Sequence, residues 1–481
     1  MSTFSQYFCL NKTQPELDFV DVNLETDQPL FIDPYAISMR GDEWSQRCNN
    51  TIVSFFQTVI NRIRSGRDEE AKGILDQLHE PNETCLGLST DNPKGRGVSG
   101  KQALDLYEKL AESQAAKSGV LSELAECDLF IEGIGRDKIS DITTNILRGL
   151  LIEYTHKQCE LWNITLSGKV ASGKIWNPVI ESWEEDYVKL PIINGKKIIL
   201  VPKYAVRRRM SLESQEYYNH YVLNFLQEEH LNANTSLVQV LKNGTRRVTK
   251  KDLKQRYPLH KEWLAEFTKN HPEVVSEYKE DAKKITISDS LEYNLCLNEE
   301  FNESDFANLL SSALNNISPG NNEAHKYHSL MIGLLEFILW PNLIYPKKEH
   351  EIHDGRKRID ITYTNAAEIG FFYRIHTSYH IASNIIMVEC KNYTKDVKNP
   401  EFDQLSGRFS INRGKFGILT YRGTENYENL LKKCKDTSND GRGIIMPLGD
   451  IQILDMLKLI SEDKRNQIDT YIDSIFQKII S

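Results

Sequence analysis

The sequence contains no paired or clustered cysteines. Its eight, Cys9, Cys48, Cys85, Cys127, Cys159, Cys296, Cys390 and Cys434, are scattered without a C-x-x-C pair, which argues against a disulfide framework and a cysteine-built zinc site and points to a reducing compartment. No stretch reaches the ~18 unbroken apolar residues of a membrane span. The opening MSTFSQYFCLNKTQPELD has no basic region followed by an apolar one, so no secretion signal is expected and the location is read as cytoplasmic, with no membrane partner. Glycine and proline are sparse, 26 and 15 of 481 residues, and no repeat or low-complexity tract occurs. That excludes collagenous, solenoid and disordered chains. What is there, 40% hydrophobic and 26% charged residues, is the composition of an ordinary globular protein, with room for several domains at roughly 100 to 200 residues each.

The net charge of -9 is unevenly placed. Residues 320–481 carry 22 Lys and Arg against 21 Asp and Glu, leaving 37 against 47 for the rest. Within the acidic part, Lys242 to Arg256 (KNGTRRVTKKDLKQR) holds seven basic residues and one acid, and Arg207, Arg208 and Arg209 form a second basic run. Local patches of this kind, not the whole-chain sum, decide whether a polyanion docks. Arg246, Arg247, Lys250 and Lys251, with Arg207 to Arg209, are therefore candidate nucleic-acid contacts; a plain solvated face is the alternative.

Three regions are expected: a mixed α+β region over 1–160, a region with a β-hairpin, helices and the basic segment over 161–314, and a C-terminal domain over 320–481. The turn-forming NNISPGNN, Asn315 to Asn322, marks the last boundary. Helical spacing runs through 50–78, 102–126, 139–159 and 259–284, and Asn194-Gly195 between two strand-like runs predicts a hairpin. The stretch Gly95 to Lys101 (GRGVSGK) has the glycines of a phosphate cradle but no strand before it and Gln102 after it, so a connector is the simpler reading.

The C-terminal region carries the chemistry. Glu323 to Trp340 has one wide apolar face and stops at Pro341, as a helix should. A strand over 343–352, a turn at Asp354-Gly355, the run RIDITY containing Asp360, the run NIIMVECKNY and a further helix follow. Alternation along a strand puts Glu389 and Lys391 on one face. A carboxylate and an ammonium on a mostly apolar strand are costly unless paired or metal-bound, and Asp360 adds a second carboxylate that a divalent cation would keep ionised. Oxygen ligands suit Mg2+ or Mn2+.

These residues resemble the PD-(D/E)XK restriction-endonuclease-like superfamily over about residues 320–450. The resemblance implies an α/β fold with an α-β-β-β-α-β core. It also implies metal ligation by Asp360, Glu389 and the carbonyl of Cys390, with Lys391 aiding the attacking water. Members often place a Glu on the first helix and a Gln on the helix after the E-x-K strand; Glu323 and Gln404 match, with Glu336 the substitute for Glu323 and a helix-start role its alternative. Arg408, one turn after Gln404, could meet a phosphate or form an ordinary ion pair. Asp360 follows Ile359, so the literal Pro-Asp is missing, and the gap to Glu389 implies an inserted loop over 366–383.

The expectation is a metal-dependent endonuclease acting on DNA. The large N-terminal region is reminiscent of bacterial anti-phage defence effectors, which implies defence-system partner proteins. The alternatives are a non-cleaving nucleic-acid-binding protein and a nucleotide-responsive regulator built on Gly95 to Lys101. The apolar stripe of 468–479 either docks on its own domain or serves a homodimer or larger assembly. His325, His328, His350 and His353 lack convergent metal-ligand spacing.

Overall fold

The computed structural model describes residues 2–79, 81–87, 100–113, 123–166, 168–289, 301–348, 361–395, 397–422 and 426–481. The chain forms two compact units: residues 22–153 with 167–292, and residues 2–21 with 154–166 and 293–481.

The second unit is built on a five-stranded mixed sheet. A helix, α1 (Ala324–Leu339), leads into β1 (Leu343–Lys347), β2 (Ile361–Asn365), α2 (Gly370–Thr377), β3 (Ile385–Lys391), α3 (Asn399–Ser406), β4 (Phe416–Tyr421), α4 (Tyr427–Asn439), β5 (Ile444–Gly449), α5 (Asp450–Ser461) and α6 (Ile468–Ile480). The strands lie in sequence order; β1, β2 and β3 are antiparallel, and β4 and β5 join parallel to β3. Every residue of β4 (FGILTY) and β5 (IIMPLG) is buried, as parallel strands covered on both faces require. Gly443, at φ 116° before β5, accepts the Phe409 ring where a Cβ would stand 2.4 Å from it.

Alternation places Ile386, Val388 and Cys390 on one face of β3 and Met387, Glu389 and Lys391 on the other. The helix α1 covers the first face, where the Tyr363 hydroxyl donates to the Ile332 carbonyl at 3.3 Å. The helix α3 and the turn after it cover the second. The N-terminal segment belongs to this unit because it packs on α1: Gly333 leaves space for Glu16 and Lys12, and buried Asp18 accepts from the Tyr154 hydroxyl at 2.6 Å and the Tyr345 amide at 3.0 Å.

One expectation meets a different arrangement. NNISPGNN is a connection inside the second unit, because the helix before it, Glu303–Asn316, buries Ala307, Leu310 and Leu314 in the C-terminal core. The stripe of α6 docks on its own unit, one of the two readings the sequence offered: Ile468, Ile472, Ile475, Phe476 and Ile479 are all buried in that core.

The first unit is mainly helical, with Glu43–Arg64 and Arg136–Leu161 the longest helices; the last residues of the latter count with the second unit. Two short hairpins, Ile175–Asn177 with Ser182–Glu184 and Ile192–Ile193 with Lys196–Lys197, lie between 169 and 197, the first nested inside the pairing of Lys169–Ala171 with Tyr187–Lys189. Asn194 and Gly195 form the predicted tight turn, both at positive φ, the backbone a two-residue hairpin needs. The helical stretch expected over 259–284 is two helices, Lys261–Asn270 and Pro272–Asp289, because Pro272 supplies no amide to continue the first. Among the described residues no helix is long and apolar enough to cross a membrane.

Candidate functional site

The geometry centres on β3. Glu389 and Lys391 share a strand face, and the Lys391 ammonium lies 2.6 Å from Glu389 Oε1. Arg408, two residues beyond α3, brings Nη1 to Glu389 Oε2. The three side chains are 2%, 13% and 1% exposed for Glu389, Lys391 and Arg408, so the carboxylate is held by two cations just below the surface. Burial of this kind is tolerated only when each charge is paired. Gln404, one turn before Arg408, is half-buried. Cys390 points to the opposite face of the sheet, towards Tyr363 and Tyr327; burial first, then neighbouring negative charge, pushes both phenols far up.

Asp360 lies outside the described residues, as do His350, His353 and the Gly95 to Ser99 stretch. Its chain neighbour Ile361 opens β2 and pairs with Val388, the residue before Glu389. Glu323 stands at the N-terminal boundary of α1 without a side-chain capping bond and pairs with Lys326 at 2.6 Å, whose hydrogen bond lowers its carboxyl from the ordinary value. Glu336, about 20 Å further along that helix, is fully buried. Its charge adds to burial in raising Tyr363. Among the described residues, no group of three or more His, Cys, Asp and Glu side chains is placed to hold a metal ion. His325 and His328 line a cavity of about 390 Å³ with Trp162, Lys12 and Lys326.

A second network, not legible in the sequence, fixes the end of β3. Asn392 donates to the carbonyls of Ser318 and Gly320 at 3.1 and 2.8 Å, so NNISPGNN is moored beside the strand carrying Glu389 and Lys391. Arg422, just past β4, binds Asp450 through Nε at 2.7 Å and the Ile317 carbonyl through Nη1. Asp450 also accepts from the Tyr327 hydroxyl. Burial raises its carboxyl, and Arg422 opposes that rise. The only sequence signal was an arginine directly after an apolar strand.

The basic runs lie in the first unit and are less uniform than their sequence suggests. Arg207 is buried, with Nη1 donating to the carbonyls of Tyr204 and Val206, so it is not a surface contact; Arg208 and Arg209 are exposed. Gln239–Val240 and Arg246–Arg247 pair as a hairpin, and Lys250–Arg256 is a helix. Arg246 donates to the Leu231 carbonyl and Lys250 to that of Asn219. Arg247, Lys251, Lys254 and Arg256 are exposed.

Residues 9–213 match a family model described as a domain of unknown function (DUF8370). The match ends before the basic hairpin and before the five-stranded sheet. No curated protein and no solved structure matches the chain.

Proposed function

We propose that the protein is a metal-dependent endonuclease that hydrolyses DNA phosphodiester bonds, in bacterial anti-phage defence or restriction. The observation that carries this reading is the pairing on β3: Glu389 and Lys391 side by side on a buried strand, with the chain neighbour of Asp360 in register beside them. Asp360 and Glu389, with the Cys390 carbonyl, would hold Mg2+ or Mn2+. The donor chemistry fits, being oxygen only; Lys391 and Arg408 meet the two Glu389 oxygens and would share them with the metal. When bound, the metal would supply a Lewis acid and a more acidic water. Lys391, fixed by Glu389, would orient the attacking water and stabilise charge developing on it. Exposed Arg208, Arg209, Arg247 and Lys251 would hold the DNA backbone without reading bases.

The test is plasmid cleavage in Mg2+ or Mn2+ by the unaltered chain, Asp360→Ala, Glu389→Ala and Lys391→Ala, beside a phage challenge of cells carrying each. Each substitution should lower cleavage by at least about 100-fold, the scale of one lost electrostatic stabiliser, and excess EDTA should abolish cleavage. Full activity in EDTA would refute the reading. One observation favours a second reading, a nucleic-acid-binding protein that does not cut. Lys391 and Arg408 already neutralise Glu389 without a metal. Under that reading Asp360→Ala leaves phage protection intact.

A further inference from the structure

Arg408 is spent on Glu389 through one nitrogen only. Its side chain is 1% exposed, Nη1 meets Glu389 Oε2, and Nε and Nη2 are buried with no hydrogen-bond acceptor among the described residues. Leaving such donors unmet is expensive, more so for a charged group than for a neutral one. The identity of the two nitrogens matters. Nε and Nη2 lie along one edge of the planar guanidinium, the fork whose two parallel N–H bonds match the two oxygens of a carboxylate or a phosphate. Arg408 therefore presents one intact bidentate edge beside the Glu389 and Lys391 pair, and the carboxylate on Nη1 fixes the plane of that edge.

We propose that Arg408 is the clamp for the scissile phosphate: Nη1 stays on Glu389 while Nε and Nη2 take the two non-bridging oxygens of one DNA phosphodiester. The proposal rests on the nuclease reading for its substrate and adds a residue that sets where the phosphorus stands relative to Lys391. Through Arg408, the side chain that orders Glu389 also orders the phosphate. Lys391 is the partly exposed member of the triad, and the buried Nε and Nη2 edge of Arg408 must be uncovered for a phosphate to reach it.

The experiment measures binding of a short blunt DNA duplex across a salt series, with Ca2+ in place of Mg2+ so that no cutting intrudes. Arg408→Lys keeps a cation on Glu389 but loses the fork; Arg408→Gln loses both. Both variants should bind at least about 10-fold more weakly, and the slope of log affinity against log salt should flatten by about one phosphate contact. Circular dichroism of Arg408→Lys should match the unaltered chain, so the comparison stands even if Arg408→Gln fails to fold. A folded Arg408→Lys with unchanged affinity and slope overturns the clamp, as does an unaltered chain that binds no duplex. Cleavage of plasmid separates the two ideas. If the unaltered chain cuts in Mg2+ while Arg408→Lys binds normally, the clamp falls alone. If it never cuts, yet Arg408→Lys loses binding and slope, the nuclease reading falls and with it the scissile role, and Arg408 stands as a phosphate contact of a DNA-binding site that does not cut.

Discussion

At the scale of single residues, charge placement is decided by who faces whom. Glu389 and Lys391 were legible as a pair because strand alternation is local and puts residues two apart on one face. Arg408 was visible as a neighbour of Gln404, but its approach to Glu389 depends on where α3 lies against the sheet. Arg207 shows the opposite outcome: a member of an RRR run, it folds inward and spends its guanidinium on backbone carbonyls. The same logic gives a pH prediction in the first unit. Burial pushes Glu83 up, yet Arg148 at 2.9 Å and Lys197 at 3.6 Å outweigh it, so its carboxyl lies below the ordinary value. For a lowered carboxyl, the stabilisation is present above the unfolded-chain pKa of about 4.3 and is lost as pH falls through the folded value. Glu83→Gln should therefore lower the melting temperature at neutral pH and matter progressively less in acid below about pH 4. Equal losses at both ends of a melting series would show that the pair contributes nothing.

At the scale of elements, apolar faces find cover within their own unit. The 3.6-residue spacing of α6 correctly marks a buried face, but periodicity says nothing about what covers it, since a second copy and the chain's own core look alike in sequence. In the structure Phe371 stacks edge-on against Phe476 at 5.3 Å, and Arg374 pairs with Asp469 and Asp473, so α2, part of the stretch read as an inserted loop, docks on α6. Phe476→Ala should cost about 3 to 5 kcal/mol of stability. Denaturant unfolding at two protein concentrations checks this. The loss should be the same at both; a loss that shrinks as concentration rises would make the face an interface between copies.

At the scale of the whole molecule, the acidic net charge conceals an exposed cationic surface formed by a hairpin and the helix after it. Arg246 and Lys250 are tied to backbone carbonyls, so the informative substitutions are Arg247, Lys251 and Lys254 to Gln. Together they should weaken DNA binding across unrelated sequences and reduce its salt dependence by up to about three phosphate contacts, read by fluorescence anisotropy over a salt series. An unchanged slope would place the DNA elsewhere. The sequence alone determined the helix, strands and following helix around Glu389, the Asn194-Gly195 turn, the apolar face of α6 and the juxtaposition of Glu389 with Lys391. Each follows from neighbours a few residues apart, whose geometry the backbone fixes. Only the tertiary structure decided that Glu303–Asn316 joins the C-terminal core, that Arg422 and Asp450 lock the end of β3, and that Arg408 closes on Glu389. Those contacts join residues far apart in the chain, and burial sets their strength; neither separation in space nor burial is written in local spacing.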